Sequence, residues 1–325
     1  MAASTLQNVK LGEASLPSNG GVGRNGGRPN LQKAPPPQTG GLHYAYDGSN
    51  LLFRFLRVYG WGVLINLGYF DYLSPLSLFT LPVAQRRLVR KAVRLLGLKG
   101  GERVLDVACG RGWSSSYIAG SQPAEKVVGM DLLPHHIQIC QNLYGGIPRL
   151  EYQEGDATCM PFDDGSFDAV ICIEAAFHFD RAKFLAEAFR VLRKGGRLVI
   201  VDFMWRSRHG AHVLTHPDMD IVRSIWRWND FDSVDEYRAK AVNAGFSVET
   251  LHNWSSNVMA SFYYLCRAFT WAGQNAIGRE MLLRMNPQLK VIKPSQWQEL
   301  ERIVLAHNFT RQHARYMALT LEKLG

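Results

Sequence analysis

The sequence predicts an α/β chain built on a doubly wound, mostly parallel seven-stranded sheet with a helical cap. Three observations carry that prediction: short apolar runs alternate with helical patterns through the middle of the chain, a glycine-rich turn closes the first run, and a carboxylate stands at the end of each of the first three. Strands alternating with helices at this spacing form βαβ units, and such units build a parallel sheet.

The first run is Arg103-Val104-Leu105-Asp106-Val107-Ala108, followed by the turn Cys109-Gly110-Arg111-Gly112. Lys126–Asp131, Leu150–Gly155, Phe167–Ile173 and Arg197–Asp202 are the next four strands, separated by helical patterns at Trp113–Gly120, Pro134–Tyr144 and Arg181–Arg193. Lys194-Gly195-Gly196 reads as the stop of the last helix, a positively charged final turn followed by glycine. Beyond Asp202 the alternation ends. A helix is expected near Met219–Trp228 and another over Ser233–Gly245, where Ser233 and Glu236 are spaced as a capping box. Phe246–His252 reads as a strand, Ser256–Asn308 as mostly helical and Ala314–Lys323 as a final strand, which completes the seven. Ahead of the sheet, Tyr44–Leu98 has a helical pattern punctuated by Gly60, Gly62, Gly68 and Ser74-Pro75.

Composition bounds the function. The 325 residues are 46% hydrophobic and 20% charged, as in an ordinary soluble globular chain. The longest apolar stretch, Leu51 to Leu81, is broken by Arg54, Arg57, Asn66, Asp71 and Pro75, which argues against a transmembrane helix. The first residues lack the apolar core of a signal peptide. Five cysteines at irregular spacing, with no C-x-x-C pair, give neither a disulfide framework nor a zinc site, and a reducing, cytoplasmic location is the default expectation.

Of the net charge of +9, residues 1–42 supply +3, from Lys10, Arg24, Arg28 and Lys33 against Glu13. The remainder is too dilute for nucleic acid, which calls for a dense basic stripe with interleaved aromatics. The densest run, Arg86 to Arg94, reads as the solvated face of an amphipathic helix whose Leu88, Val89, Ala92 and Val93 point inward. Residues 1–42 hold eight glycines and five prolines and few large apolar side chains, the composition of a disordered tail. This basic, acid-poor segment lacks an amphipathic Arg-rich helix, and an organellar targeting role for it is left open.

The glycine turn lets a backbone approach a ligand closely and opens a helix whose N-terminus offers free N–H groups and a positive dipole end. Asp131, 19 residues past Gly112, stands where an acid can bind ribose hydroxyls. Asp156, in Gly155-Asp156-Ala157, is placed to accept a hydrogen bond from an adenine amine. All three acids lie at the carboxyl ends of strands, the ligand-binding face of an open α/β sheet. Helix capping would explain Asp131 alone, but not the set.

Asp106–Gly112, Gly129-Met130-Asp131, Gly155-Asp156-Ala157, Met160-Pro161-Phe162, Ser166-Phe167-Asp168 and Val191–Gly196 together resemble the successive motifs of class I S-adenosylmethionine-dependent methyltransferases. The resemblance covers Leu98 to Asp202. It implies that Asp106 and Gly110 surround the methionine end of the cofactor, that Asp131 holds the ribose, and that Asp156 and Ala157 hold the adenine. Ala108, Gly112, Leu132, Ile173 and Glu174 complete the implied cofactor set. The family's first loop glycine is replaced by Ala108, which fits if that residue keeps a negative φ. A dinucleotide-binding reading is weaker, because Gly155-Asp156-Ala157 has no role there.

A narrower resemblance links Ile65-Asn66-Leu67-Gly68-Tyr69-Phe70, Ile173–Phe179 and Asn257-Val258-Met259 to natural-product methyltransferases, among them macrolide-sugar and rebeccamycin-sugar O-methyltransferases and mycobacterial phenolic-lipid enzymes. Sterol and tocopherol methyltransferases share parts of the pattern. This likeness implies that Tyr69 closes over the cofactor. It also implies that Asp202, after the fifth strand, orients either an acceptor hydroxyl or His178, the candidate general base after the fourth. An imidazole titrates near neutral pH, as a base for a hydroxyl acceptor must. Glu174 is a second candidate, touching the cofactor or, for a carbon acceptor, taking the proton or steadying a cation.

The implied organisation is a tail over residues 1–42, a helical N-terminal cap over 43–97, the cofactor-binding core over 98–205, and a substrate cap with the last strands over 206–325. The expected activity is methyl transfer to a hydroxyl of a hydrophobic or glycosylated small molecule, with C-methylation of a prenyl, sterol or quinone-like carbon as the alternative. A catalytically dead cofactor-binding protein is disfavoured by the intact acid set. Six of eight tryptophans follow residue 200, which favours an aromatic-lined acceptor pocket. His209, His212, His216, Asp218 and Asp220 are not diagnostic of a metal, and none is expected. The expected partner is a hydrophobic small-molecule acceptor, without nucleic acid or a transmembrane segment, and a homodimer is allowed.

Overall fold

Val104, Leu105 and Val107 are sealed from solvent on both faces of the first strand, β1 (Arg103–Val107), as a central parallel strand requires. The computed structural model describes residues 50–62, 64–71, 81–207, 211–228 and 230–324; the expectations for residues 1–42 lie outside them. After β1 come β2 (Lys126–Asp131), β3 (Leu150–Glu154), β4 (Phe167–Ile173), β5 (Leu192–Trp205), β6 (Phe246–Asn253) and β7 (Ala314–Lys323). The principal helices are α1 (Leu51–Val58), α2 (Leu81–Leu96), α3 (Trp113–Ser121), α4 (Pro134–Tyr144), α5 (Arg181–Val191), α6 (Pro217–Trp226), α7 (Val234–Asn243), α8 (Ser261–Ala272), α9 (Ala276–Met285) and α10 (Trp297–His313).

The strands form one seven-stranded sheet in the order β3-β2-β1-β4-β5-β7-β6. Pairing is parallel from β3 to β5, and β7 runs antiparallel to both β5 and β6. The chain winds outward from β1 to β3 and then returns to β4 on β1's other side. That reversal opens a crevice at the carboxyl ends of β1 and β4, where such sheets bind ligands.

Two departures from the sequence expectations change how segments are read. Helix α5 stops at Val191, because Leu192 is already extended and pairs with Phe167 of β4. Lys194-Gly195-Gly196 therefore lies in a bulge within β5, with Gly195 at φ +70° and Arg193 held 2.5 Å from Asp168. The pattern over Tyr44–Leu98 yields α1 and α2 among the described residues, with a non-helical passage before Phe70. In that passage Gly68, at φ +83°, has no room for a side chain: a Cβ would stand 2.9 Å from that of Ala84 on α2.

The basic run lies on α2, whose Leu88, Val89, Ala92 and Val93 are buried. Four of its five cations are seated on neighbours: Arg86 over Trp113, Arg90 over Tyr117, Lys91 over Tyr69, and Arg87 2.9 Å from Asp71. The capping box of Ser233 and Glu236 opens α7 as expected.

Candidate active site

The turn after β1 is left-handed three times, at Ala108 (φ +55°), Gly110 (φ +57°) and Gly112 (φ +79°). The expected negative φ at Ala108 is therefore corrected: an alanine occupies the conformation a glycine would adopt freely, at a cost of roughly 1–2 kcal/mol. Backbone bonds hold it there. Cys109 N–H donates to Met130 O at 2.9 Å, and Gly110 N–H donates to Asp131 Oδ2 at 2.8 Å. The other Asp131 oxygen accepts Leu133 N–H at 3.0 Å and lies 3.1 Å from His136 Nδ1, so one carboxylate ties the loop to the end of β2. Beneath the loop, Asp106 Oδ2 accepts the hydroxyls of Ser114 and Ser115 at 2.5 and 2.6 Å. Burial pushes the Asp106 carboxyl up to about 6, against the pull of the two serines. Asp156 accepts the Thr158 N–H and hydroxyl at 2.7 and 2.8 Å.

A cleft of about 340 Å³ runs along these strand ends, lined by Ala108, Asp131, Leu132, Asp156, Ala157, Ile173, Glu174 and His178 among others. Asp106, Gly110 and Gly112 support its loop and do not line its wall: a Cβ on Gly112 would meet the Tyr152 hydroxyl at 2.5 Å, whereas one on Gly110 would enter open space. A cradle left open at Gly110, flanked by the acids Asp131 and Asp156, fits an adenosyl group carrying a charged amino-acid tail. Three non-glycine residues have left-handed backbones among the described residues, Ala108, Glu174 and Arg227, and all three line this cleft. Such strain persists where the surrounding structure over-determines it, and it gathers at functional sites.

Glu174 is held from two directions. Its carboxylate accepts the Leu67 N–H at 3.0 and 3.2 Å and the Tyr316 hydroxyl at 2.5 Å. Burial pushes the carboxyl up to about 7, with those two bonds pulling the other way. Leu67 reaches it because Gln85 of α2 donates to Leu64 O and Asn66 O at 2.9 and 2.8 Å, while Gly68 packs flush on α2. The third narrow motif joins here too: Phe70 N–H donates to Asn257 O at 2.9 Å, and Asn257 Nδ2 returns a bond to Phe70 O at 2.8 Å.

Glu174 and Ile65 also line a second, apolar cavity, walled by Leu52, Leu67, Phe177, Phe203, Trp226, Trp228, Phe231, Met259 and Phe262, with His307, Thr310 and Arg311 as further polar members. In this conformation it is narrow, about 70 Å³, so a bulky guest enters only as its lining moves apart. Two of the six late tryptophans, Trp226 and Trp228, face it.

The remaining expected residues are placed differently. His178 lines the cofactor-side cleft and not the apolar cavity, and burial brings its imidazole down to about 4, so it is neutral at physiological pH. Asp202 is sealed: one oxygen accepts Phe203 N–H at 2.8 Å and the other has no hydrogen-bond partner among the described residues. Burial raises that carboxyl well above the usual range, and the implied Asp202–His178 hydrogen bond is not formed. Tyr69 does not line the cleft; its ring stands edge-on to Trp254, 5.5 Å between centroids. His209 and the side chain of His212 lie outside the described residues, and His216 caps α6 by accepting the Asp218 N–H at 3.2 Å. Sequence reasoning missed Tyr316 and Arg227, and quoted Ile65 in a motif without giving it a place in the site. Tyr316 meets Glu174 only because β7 inserts beside β5, in register with Phe203. A tyrosine in a strand-like run carries no signal of that.

Comparison with known proteins agrees with this geometry. A family model described as a methyltransferase domain matches residues 105–200. The chain is 35% identical over 218 residues to the O-methyltransferase cnsE of Penicillium expansum, a match that covers 65% of this chain and 74% of that one. It is 46% identical over 113 residues to a phthiotriol/phenolphthiotriol dimycocerosates methyltransferase of Mycobacterium leprae, covering 34% of this chain and 41% of the relative. The match thus spans about two fifths of that mycobacterial protein's length. The fold is similar to that of geranyl diphosphate C-methyltransferase from Streptomyces coelicolor A3(2), with a TM-score of 0.65 at 15% identity over 88% of this chain and 97% of that one. A parallel sheet in this order, a left-handed loop tied to an acid at the end of β2 and a relative matched over most of its length converge on one conclusion: the chain belongs to the class I S-adenosylmethionine-dependent methyltransferases, and S-adenosylmethionine is its cofactor.

Proposed function

We propose that this chain transfers a methyl group to a hydroxyl of a hydrophobic small molecule seated in the apolar cavity, with Glu174 taking the proton. One observation carries the reading: Glu174 is the carboxylate that lines both the cofactor cleft and the apolar cavity. When bound, the cofactor supplies an electrophilic methyl on a sulfonium. Asp131, Asp156 and Ala157 are the residues that hold its adenosine part, and the loop from Ala108 to Gly112 holds the amino-acid end. Catalysis further needs the acceptor in line at about 3–3.5 Å and its proton removed as the new bond forms.

A carboxyl near 7 is partly ionised at neutral pH, the range in which a general base works best. Leu67 N–H and the Tyr316 hydroxyl fix its orientation. His178, neutral and on the cleft side, serves binding in this reading. The apolar lining favours a hydrophobic acceptor over a bare sugar. An acceptor carbon is the second reading, favoured by the mutually packed rings of Phe177, Phe203 and Phe231, with centroids 5.6 to 6.0 Å apart. Aromatic faces stabilise a cation formed as a double bond is methylated.

The test is incubation with methyl-labelled cofactor and panels of apolar alcohols, phenols and prenyl compounds, with the product read by NMR. A labelled O–CH3 product that disappears in Glu174→Gln, in protein that still binds cofactor, is the expected result. A C–CH3 product would replace the first reading with the second, and undiminished turnover in Glu174→Gln would remove the base assignment.

A further inference from the structure

The exposed apolar side chains of this chain are concentrated in one place. Of the thirteen large hydrophobics exposed among the described residues, seven fall between residues 261 and 296. On α8, Phe262 and Cys266 face the apolar cavity, while Tyr264 and Trp271 emerge on the opposite side, seven positions apart. On α9, Ile277, Met281 and Met285 are exposed at four-residue spacing, which places them in one stripe. Ile277 is 78% exposed and Trp271 64%, and Leu282 is the one buried residue of α9. A helix that anchors one side chain and turns an apolar stripe to water is built to meet another phase.

The charge of the same segment says which phase. Residues 261–296 carry five basic side chains and one acid. Arg267 is neutralised by Glu301 and Arg284 by Glu280; Arg279 has no ion pair but donates to Gly273 O and Gln274 O at 3.1 Å, and Lys290 and Lys293 have no ion pair among the described residues. A second copy would set these cations against themselves. Residues 1–42 carry +3 and no aromatic residue, and so complement neither the charge nor the rings. An anionic lipid surface complements both, accepting the Trp, Ile and Met side chains at the acyl boundary and the cations among the headgroups. No helix among the described residues is long and apolar enough to cross a membrane, so docking by this segment would be peripheral.

We propose that the α8–α9 hairpin docks this chain on an anionic membrane, with the roof of the apolar cavity against the lipid. The docking is independent of which acceptor atom is methylated, and its test needs no turnover.

The experiment is co-sedimentation of the full chain with phosphatidylcholine vesicles, with and without phosphatidylglycerol. Binding should be about tenfold or more tighter to the anionic vesicles, and should weaken as salt is raised. The double variant Ile277→Glu/Met281→Glu should lose about tenfold or more while binding S-adenosylhomocysteine normally. As a check that does not rest on a charged variant, wild-type tryptophan emission should shift to the blue on anionic vesicles, and that shift should shrink in Trp271→Phe. Wild-type protein that stays in the supernatant, or a double variant that sediments equally, overturns the proposal. So does a solution dimer that the double variant dissociates while vesicles fail to bind, because the face then belongs to a second copy.

Discussion

At the scale of the residue, the proposed reaction turns on Glu174. It adopts a left-handed backbone at φ +51°, accepts two donors and separates the two cavities. Replacing it with glutamine keeps the shape and removes the proposed base, so kcat should fall by about 10²–10⁴ with cofactor affinity retained; isothermal titration and a turnover assay separate the two. Wild-type activity should rise as pH passes through about 7 and stay low below it. His178→Ala should retain most turnover under the proposed reaction, since an imidazole that burial brings down to about 4 is a weak proton acceptor and stands outside the apolar cavity. Ala108 offers a purely conformational test. Relief of its φ +55° backbone predicts that Ala108→Gly is neutral or stabilising by up to about 1 kcal/mol, whereas β-branched Ala108→Val should cost about 2 kcal/mol or more, both read from urea midpoints. The acids were legible from their strand-end positions. The sign of φ at Ala108 was not, because it is imposed by bonds to β2 that a linear sequence does not display.

At the scale of the element, the helices and strands of the core follow from periodicity. β1 to β4 and α4 lie within a residue of their expected limits, and the capping box of α7 forms as spaced. The end of α5 was misread because Lys194-Gly195-Gly196 has the chemistry of a helix stop, while pairing of Leu192 with Phe167 starts the strand earlier. Tertiary pairing overrode a local signal. The passage before Phe70 was read as helical for the same kind of reason: its apolar residues pack on α2 and the core rather than on a helical face of their own. That passage is also where an element controls the site. Gly68→Ala would drive a methyl against Ala84 and strain a φ of +83°, so it should destabilise by about 2–3 kcal/mol and, by moving the Leu67 N–H from Glu174, lower kcat more than cofactor affinity. Thermal unfolding and single-turnover rates would show both effects.

At the scale of the whole molecule, the cofactor and the fold are linked. A ligand that binds only the folded chain stabilises it by about 2.7 kcal/mol at a hundredfold excess over Kd, so S-adenosylhomocysteine should raise Tm measurably. Asp131→Ala should abolish most of that rise, since Asp131 both lines the cleft and pins Gly110. Acidity couples to stability in a defined direction. Folded Glu174 keeps its proton up to about pH 7, whereas in the unfolded chain it loses it near 4.3, so this group's contribution is full below the unfolded value and fades as pH rises toward 7. Glu174→Gln should therefore gain stability relative to the wild type between about pH 4.5 and 7.5, a trend that denaturant titrations at stepped pH would detect. The global topology was legible from the alternation of strands and helices. The meeting of Leu67, Glu174 and Tyr316 was not, because it joins three segments that only the finished sheet brings together.

The strand order has a consequence for how the protein is made. β7, the last of the seven to be synthesised, occupies the slot between β5 and β6. On the ribosome, then, β6 emerges with no neighbour to pair with and waits through the translation of α8, α9 and α10, while the open flank of β5 stays available to any other nascent chain. The vulnerable moment in this enzyme's life is that interval, when a half-built sheet stands open to mispairing until its keystone arrives.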